Sequence, residues 1–445
     1  MHANAARETL PDPPSAFMQR TLLLVPHEIA GLSVFGIGWV LMLILIAAGM
    51  RIYVAVKHRH KLADLLAGEG IMWAFVIVAI VFVVPMVELR NMDGEPVGMA
   101  IRGYGVMLIS AVGAAVLVAA WRTKRRGIDP EAIFSLAPWV LVGGIAGARI
   151  FYLIQYREDY DWSTLGSSVG NLLSFTQGGL VVYGSFIGGV LASLIFIRRN
   201  KLPVLRLGDA IVPCMFLGVC IGRIGCLMNG CCYGGRCEEG WAALHFPAGS
   251  AVYTEQVLDG ELLGLTISPT TQRITKVAAD TPASKAAIKP GAKLNAIQFE
   301  EVSNRLAPKD IPKEDVLNNV VATVDGVPYR WSASELPTRA LPVQAAQLIS
   351  SGTGLLLFSV LGVLSYVLRR DGAIMFTGFA GYAILRFILE MVRVDEKGQF
   401  GTSLSISQWV SVIVFSISVV ALVWVYRCHG DTANGLKEDS VAESG

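Results

Sequence analysis

The stretch GRIGCLMNGCCYGG, residues 222–235, closes an apolar run, DAIVPCMFLGVCI (209–221), with an arginine, an asparagine, three cysteines and five glycines. The run itself reads as a helix crossing a bilayer, since a hydrocarbon core of about 30 Å takes about 20 apolar helical residues. Arg223 inside such a run is the anomaly. On insertion scales a mid-bilayer arginine costs about 2.5–3.5 kcal/mol, so it is expected to face a cavity or a partner rather than lipid.

The rest of the chain supports a membrane reading. Of its 445 residues 53% are hydrophobic and 16% charged, and the mean hydropathy is +0.54, more apolar surface than one soluble core hides. The net charge of +2, with no basic stripe interleaved with aromatics, gives no sign of a nucleic-acid partner. Nine spans are predicted, near 33–56, 71–88, 100–121, 134–155, 178–197, 207–228, 351–368, 373–391 and 405–426. The fold class is therefore an all-α polytopic membrane protein. Basic residues cluster after spans one (Arg51, Lys57, Arg59, Lys61), three (Arg122, Lys124, Arg125, Arg126), five (Arg198, Arg199, Lys201, Arg206) and seven (Arg369, Arg370). The positive-inside rule makes those loops cytoplasmic, which puts the N-terminus outside and the C-terminus inside. The polar, proline-bearing residues 1–20 do not read as a cleavable signal peptide, and the polar tail 429–445 reads as disordered in the cytoplasm.

Between spans six and seven the composition turns ordinary and soluble, so a small extracytoplasmic domain is expected at 241–340. Its segment 260–299, GELLGLTISPTTQRITKVAADTPASKAAIKPGAKLNAIQF, alternates strand-like runs with a short helix and a Lys-Pro-Gly turn. That β-rich order resembles a PDZ domain. Leu263-Gly264-Leu265-Thr266 stands where that family holds a terminal carboxylate, which implies an extended peptide as ligand.

Arginine recurs in the spans: Arg149 in GGIAGARIFYLIQY (143–156) and Arg386, with Glu390, in GYAILRFILEMVR (381–393). Arg386 and Glu390 lie four apart on one helical face and are placed to pair with each other. Three spans with arginine against the single carboxylate Glu390 leave excess positive charge, which points to an anionic ligand. A guanidinium stays charged and grips phosphate through two parallel hydrogen bonds, and a phospholipid headgroup is the nearest phosphate.

The segments GGLVVYGSFIGGV (178–190), 209–235 and 381–393, in this order, resemble the prolipoprotein diacylglyceryl transferase family. The resemblance covers 96–240 and 341–428, a seven-span core, and leaves out the insert and an N-terminal extension (1–95) with two further spans. It implies transfer of the diacylglyceryl group of phosphatidylglycerol to the lipobox cysteine of a prolipoprotein in the bacterial inner membrane, with no metal and no cofactor. By position it implies catalytic roles for Arg223, Arg386, Tyr183 and Asn229. Substrate-binding roles are implied for Tyr104, Gly234, Gln347, Tyr382, Glu390 and Arg393, with Gln347-Leu348 keeping part of a further motif, and the residues themselves add Arg149, for its charge within a span, and Gly184, beside the cavity, to the substrate-binding set.

The departures bear on mechanism. Where many members carry His-Gly-Gly, this chain has Tyr183-Gly184-Ser185, and His2, His27, His58, His60, His245 and His429 all lie outside the predicted spans. Cys226 replaces an asparagine and Cys231 a glutamate. A thiol is a few per cent ionised at neutral pH and more so beside guanidinium, so a dedicated base is dispensable, whereas tyrosine, with a pKa near 10, suits orientation better than proton abstraction. Two other readings stay open. Cys226, Cys231, Cys232 and Cys237 would serve a membrane thiol oxidoreductase, or a structural disulfide from Cys231 or Cys232 to Cys237; yet C-x4-C-C-x4-C is neither a redox nor a zinc spacing. Buried arginines would also serve an anion or lipid transporter, although no inverted repeat is visible.

Overall fold

The computed structural model describes residues 21–57, 76–159, 181–240, 243–300, 318–392, 402 and 404–428. Its principal helices are α1 (Trp39–Lys57), α2 (Gly103–Arg125), α3 (Glu131–Gln155), α4 (Val182–Arg199), α5 (Val204–Asn229), α6 (Ala251–Leu258), α7 (Ala346–Leu364), α8 (Ala373–Val392) and α9 (Ile406–Cys428). Seven of them, α2 to α5 and α7 to α9, are long and apolar enough to cross a membrane. They match the last seven predicted spans to within a few residues. Pro138 within α3 and Pro213 within α5 fit that setting, where neighbouring helices compensate the lost hydrogen bond.

The first two predicted spans come out differently. The helical part of the first begins only at Trp39, after a short hairpin ending at Ser33 and the bend at 34–38, and its apolar portion, Trp39–Val54, is shorter than the seven. Residues 71–75 of the second lie outside the described residues. Its later part holds a π-helical turn, Ala79–Val83, and a short helix, Val84–Val87, running into a strand. The third predicted span starts late for a related reason. Residues 96–102 pair as a strand instead of entering the helix, which begins at Gly103.

Two compact units divide the chain. One comprises Met1–Val106 with Gly225–Ala345, the other Met107–Ile224 with Ala346–Gly445. Besides the two-residue strands Glu28–Ile29 and Leu32–Ser33, the first unit holds β1 (Thr21–Pro26), β2 (Leu89–Arg90), β3 (Pro96–Arg102), β4 (Ala243–Leu244), β5 (Leu265–Ile267), β6 (Ile274–Val277), β7 (Leu294–Glu300), β8 (Asn319–Val324), β9 (Val327–Trp331) and β10 (Val343–Gln344). β3 is the centre of an antiparallel sheet between β1 and β2, in register Leu24↔Ala100 and Val25↔Met99. β8 is the centre of a second, between β7 and β9. β5 and β6 form a hairpin, and a helical turn, Pro282–Lys285, comes after it, capped by Thr281 Oγ1. In the segment expected to hold a terminal carboxylate, the amides of Leu263 and Leu265 both donate to Gly260 O, and that of Gly264 to Glu261 O.

The insert is also less separable than its composition implies. One apolar core runs from Leu227 at the end of α5 through Phe246, Val252, Leu263, Ile274, Val320 and Trp331 to Val343. β4 pairs with β10 in the register Leu244↔Val343, which closes the two ends of the segment together.

The second unit is a helix bundle with two apolar clusters, one around Leu136, Phe196 and Leu207, the other around Phe216, Leu361 and Ile374. α3 and α4 meet through glycines: a Cβ on Gly147 would lie 2.4 Å from Gly184 O, and one on Gly184 2.4 Å from Gly147 O. Such contact is the small-residue packing that membrane helices use. Asp209, fully buried in α5, is a second carboxylate in the spans besides Glu390. It accepts from the amides of Gly372 (2.9 Å) and Met375 (2.8 Å) at the start of α8 and pairs with Arg126 at 3.1 Å, so its charge is spent on capping a helix.

Candidate functional site: an arginine-lined pocket

α5, α7 and α8 each contribute one face to a pocket lined by Val219 and Arg223, by Ser350 and Thr353, and by Tyr382, Leu385, Arg386 and Leu389. The spacings are helical. Residues 219 and 223, 350 and 353, and 382, 385, 386 and 389 recur at three and four, the condition for sharing a face. Ser351 Oγ donates to Cys220 O at 2.9 Å, tying α7 to α5, and the Tyr382 ring lies 5.5 Å from that of Phe216, placing α8 against α5. Arg223 and Arg386 each stand six residues before the C-terminal end of their helix, about 9 Å along the axis.

Among the described residues, Arg386 is held on one side. Its Nη2 lies 2.8 Å from Glu390 Oε2 and donates to Ser407 Oγ at 2.9 Å, while Ser405 Oγ donates to Glu390 Oε1 at 3.3 Å. The pairing of Arg386 with Glu390 expected from their spacing is therefore present. It does not exhaust the guanidinium: among the described residues Nη1 is buried with no hydrogen-bond partner. A buried donor left unsatisfied costs about 1–3 kcal/mol, and more when it is charged, and an anion is the group that relieves it. With Arg223 in the same pocket and, among the described residues, Glu390 as the carboxylate paired with Arg386, the local charge suits a phosphate.

The remaining expected positions are dispersed. Arg149 is 1% exposed in α3, its guanidinium 5.5 Å from the Tyr152 ring, and it does not line this pocket. Gly184 serves the α3–α4 contact described above, and Tyr183 is partly exposed in the first turn of α4. Gln347 is fully buried in α7. Tyr104, Asn229 and Gly234 belong to the other unit. Tyr104 opens α2; Asn229 ends α5, where its side chain hydrogen-bonds the Cys231 thiol; and Gly234 donates its amide to Gln344 O at 3.0 Å. Arg393 lies outside the described residues. The two described histidines are engaged elsewhere, His27 with Glu88 at 2.5 Å and His245 with Glu239 at 3.2 Å. Of the two alternatives the cysteine spacing left open, a disulfide from Cys231 or Cys232 to Cys237 is not formed among the described residues.

Ser350, Thr353, Ser405 and Ser407 escaped the sequence reading. Serine and threonine in apolar helices commonly bond back to their own backbone, as Thr353 Oγ1 does to Ser350 O, so nothing in their spacing marks a site until the arginines are placed.

The sequence profile of the prolipoprotein diacylglyceryl transferases matches residues 96–424. The chain is 44% identical to the phosphatidylglycerol–prolipoprotein diacylglyceryl transferase of Rhodopirellula baltica, over 93% of this chain and 90% of that protein. That coverage leaves fewer residues unmatched than the insert contains. The enzymes of the same name from Synechococcus elongatus and Clostridium tetani are 34% and 35% identical, over 32% of this chain and 48% and 54% of theirs.

Proposed function

The chain belongs to the prolipoprotein diacylglyceryl transferase family, and on that footing we propose that it moves the diacylglyceryl group of phosphatidylglycerol onto the lipobox cysteine thiol of a prolipoprotein. The observation that carries the assignment to a site is the pocket with two guanidiniums, one of them with a buried, unpartnered nitrogen. The thiolate attacks the glycerol carbon that bears the phosphate ester. A C–S bond forms, the C–O bond breaks, and glycerol phosphate leaves with the electron pair. Arg223 and Arg386 bind the phosphate and stabilise the charge that grows on the leaving oxygen, a preorganised donor in such a position being worth roughly 3–4 kcal/mol. Glu390 and Ser407 orient Arg386, and the guanidiniums also favour the thiolate, so no histidine is required. Tyr382 borders the phosphate. The roles expected of Tyr104, Tyr183, Asn229, Gly234, Arg149, Gln347 and Arg393 are part of the same proposal.

The protein works as a multi-pass protein of the bacterial inner membrane with its N-terminus outside and its C-terminus in the cytoplasm. The basic last turns of α2 and α4 support that orientation, which places the pocket about 9 Å inside the outer ends of α5 and α8, at headgroup depth. Residues 96–240 and 341–428 form the transferase core, with 1–95 and the PDZ-like 241–340 as additions. The insert takes an extended segment of the preprotein along β5, whose only strand partner among the described residues is β6, by strand addition. Capture of a terminal carboxylate drops out, because the three loop amides already have acceptors.

The test is mass spectrometry of a lipobox peptide incubated with the purified protein and labelled phosphatidylglycerol. A mass gain of one diacylglyceryl group is expected. Labelled lipid that crosses a bilayer with no peptide modified overturns the assignment in favour of transport.

A further inference from the structure

The sulfur atoms of Cys226, Cys231 and Cys232 lie within 4.8 Å of one another, each residue half-buried, and no histidine, aspartate or glutamate joins them among the described residues. The way α5 ends creates the cluster. Gly230, at φ +69°, leaves the helix in the left-handed conformation; its amide donates to Leu227 O at 3.2 Å, and that of Cys231 to Cys226 O at 3.1 Å. This pair of bonds is the Schellman motif, which brings the side chain two positions past the helix end against the one in its last turn. Those two side chains are Cys226 and Cys231. Cys232 then adopts φ +59°, a conformation that costs a non-glycine residue about 1–2 kcal/mol, and the chain holds its thiol beside the other two.

We propose that these three cysteines are a site for a thiophilic d10 cation, cuprous copper or zinc. Thiolate bonds of about 2.3 Å require sulfurs roughly 4 Å apart, which the cluster reaches with sub-ångström adjustment. A disulfide needs two sulfurs at about 2.05 Å and leaves the third unused. Three soft donors without a fourth protein ligand suit trigonal cuprous ion, or zinc completed by a water. On binding, three thiols release three protons to solvent, three metal–sulfur bonds form, and no electron moves. The ion closes the turn between α5 and the insert.

The full-length protein in detergent, reduced and stripped of metal, is titrated with cuprous ion against bicinchoninate and with zinc against a chromophoric chelator, and the occupied protein is examined by X-ray absorption. One equivalent and three sulfur neighbours are expected. Copper with three sulfurs alone marks the cuprous site, and zinc with three sulfurs and one oxygen the zinc site. Cys226→Ser, Cys231→Ser or Cys232→Ser each weakens binding at least tenfold, whereas Cys237→Ser leaves it unchanged. Retention of the equivalent by the triple serine variant, two or fewer sulfur neighbours in the wild-type protein, failure of both ions to compete with their chelators, or an air-stable Cys226–Cys231 or Cys226–Cys232 disulfide overturns the proposal. The coordination number comes from the unaltered protein, so it decides even where a variant fails to fold, and none of these readouts depends on transferase activity.

Discussion

Arg386 has its two terminal nitrogens in different circumstances, one fixed by Glu390 and Ser407 and the other, among the described residues, buried without a partner. A lysine there keeps the charge and loses the second donor, because an ammonium is a point charge without the planar fork. Arg386→Lys, and equally Arg223→Lys, is therefore expected to lower turnover by about 10²–10³ fold, the usual consequence of removing one preorganised oxyanion donor. Melting temperatures in detergent stay near that of the parent. Near-parental turnover of the lipobox peptide by either variant removes that residue from the phosphate site. The arginines themselves were legible in the sequence, since charge inside an apolar run is conspicuous. Which nitrogen remained available was not, because it depends on Ser407, in a helix that begins after Arg386's own helix has ended.

Among the elements, the α3–α4 contact depends on two glycines whose backbones touch. Gly147→Val or Gly184→Val forces atoms into a 2.4 Å gap, and overpacking of this kind costs about 1–3 kcal/mol or more. Each variant is expected to melt several degrees lower, whereas Gly113→Val on α2, where a Cβ meets nothing within 4 Å, is not; equal melting of the three excludes the close-packing role. A pH effect belongs to the turn after α6. Glu261 pairs with Arg236 at 3.1 Å, yet burial raises its pKa above the ordinary glutamate value, with Asp259 and Glu255 adding to the rise and Arg236 opposing it. A carboxyl whose folded pKa is raised binds more protons folded than unfolded, so its contribution to stability falls as pH rises from the unfolded value through the folded one. Glu261→Gln is accordingly expected to flatten the decline in melting temperature just above pH 4.5 and to cost nothing at neutral pH. A steeper decline in the variant contradicts this.

For the whole molecule, the insert shares a core with the end of α5. Phe246, 1% exposed in that core, is expected to cost about 3–5 kcal/mol on truncation to alanine, seen as a lower melting transition. Removal of residues 245–338 with a short Gly/Ser closure takes away none of the eight residues that line the arginine pocket. Phosphatidylglycerol binding is expected to persist, measured by retention of labelled lipid, while Leu227 and Val343 lose their apolar neighbours and thermal stability drops. Loss of lipid binding in a protein that still inserts into membranes shows that the pocket draws on the insert.

By itself the sequence determined the seven long helices, because twenty-residue apolar runs have one economical solution in a bilayer. It also determined the family, through GRIGCLMNG and GYAILRFILEMVR, and the residues that bear charge within the spans. Only the tertiary structure decided what lies beside what. Helical spacing says that residues 382 and 386 share a face, but not that the face meets Arg223 and Ser350, since the pairing of helices is settled by contacts between residues far apart in the chain. The same reason turned residues 100–102 from helix to strand, where pairing with β1 prevails over local hydropathy. It also carried the core of the insert back to Leu227, and it brought Cys226, Cys231 and Cys232 together through a helix cap that their spacing conceals.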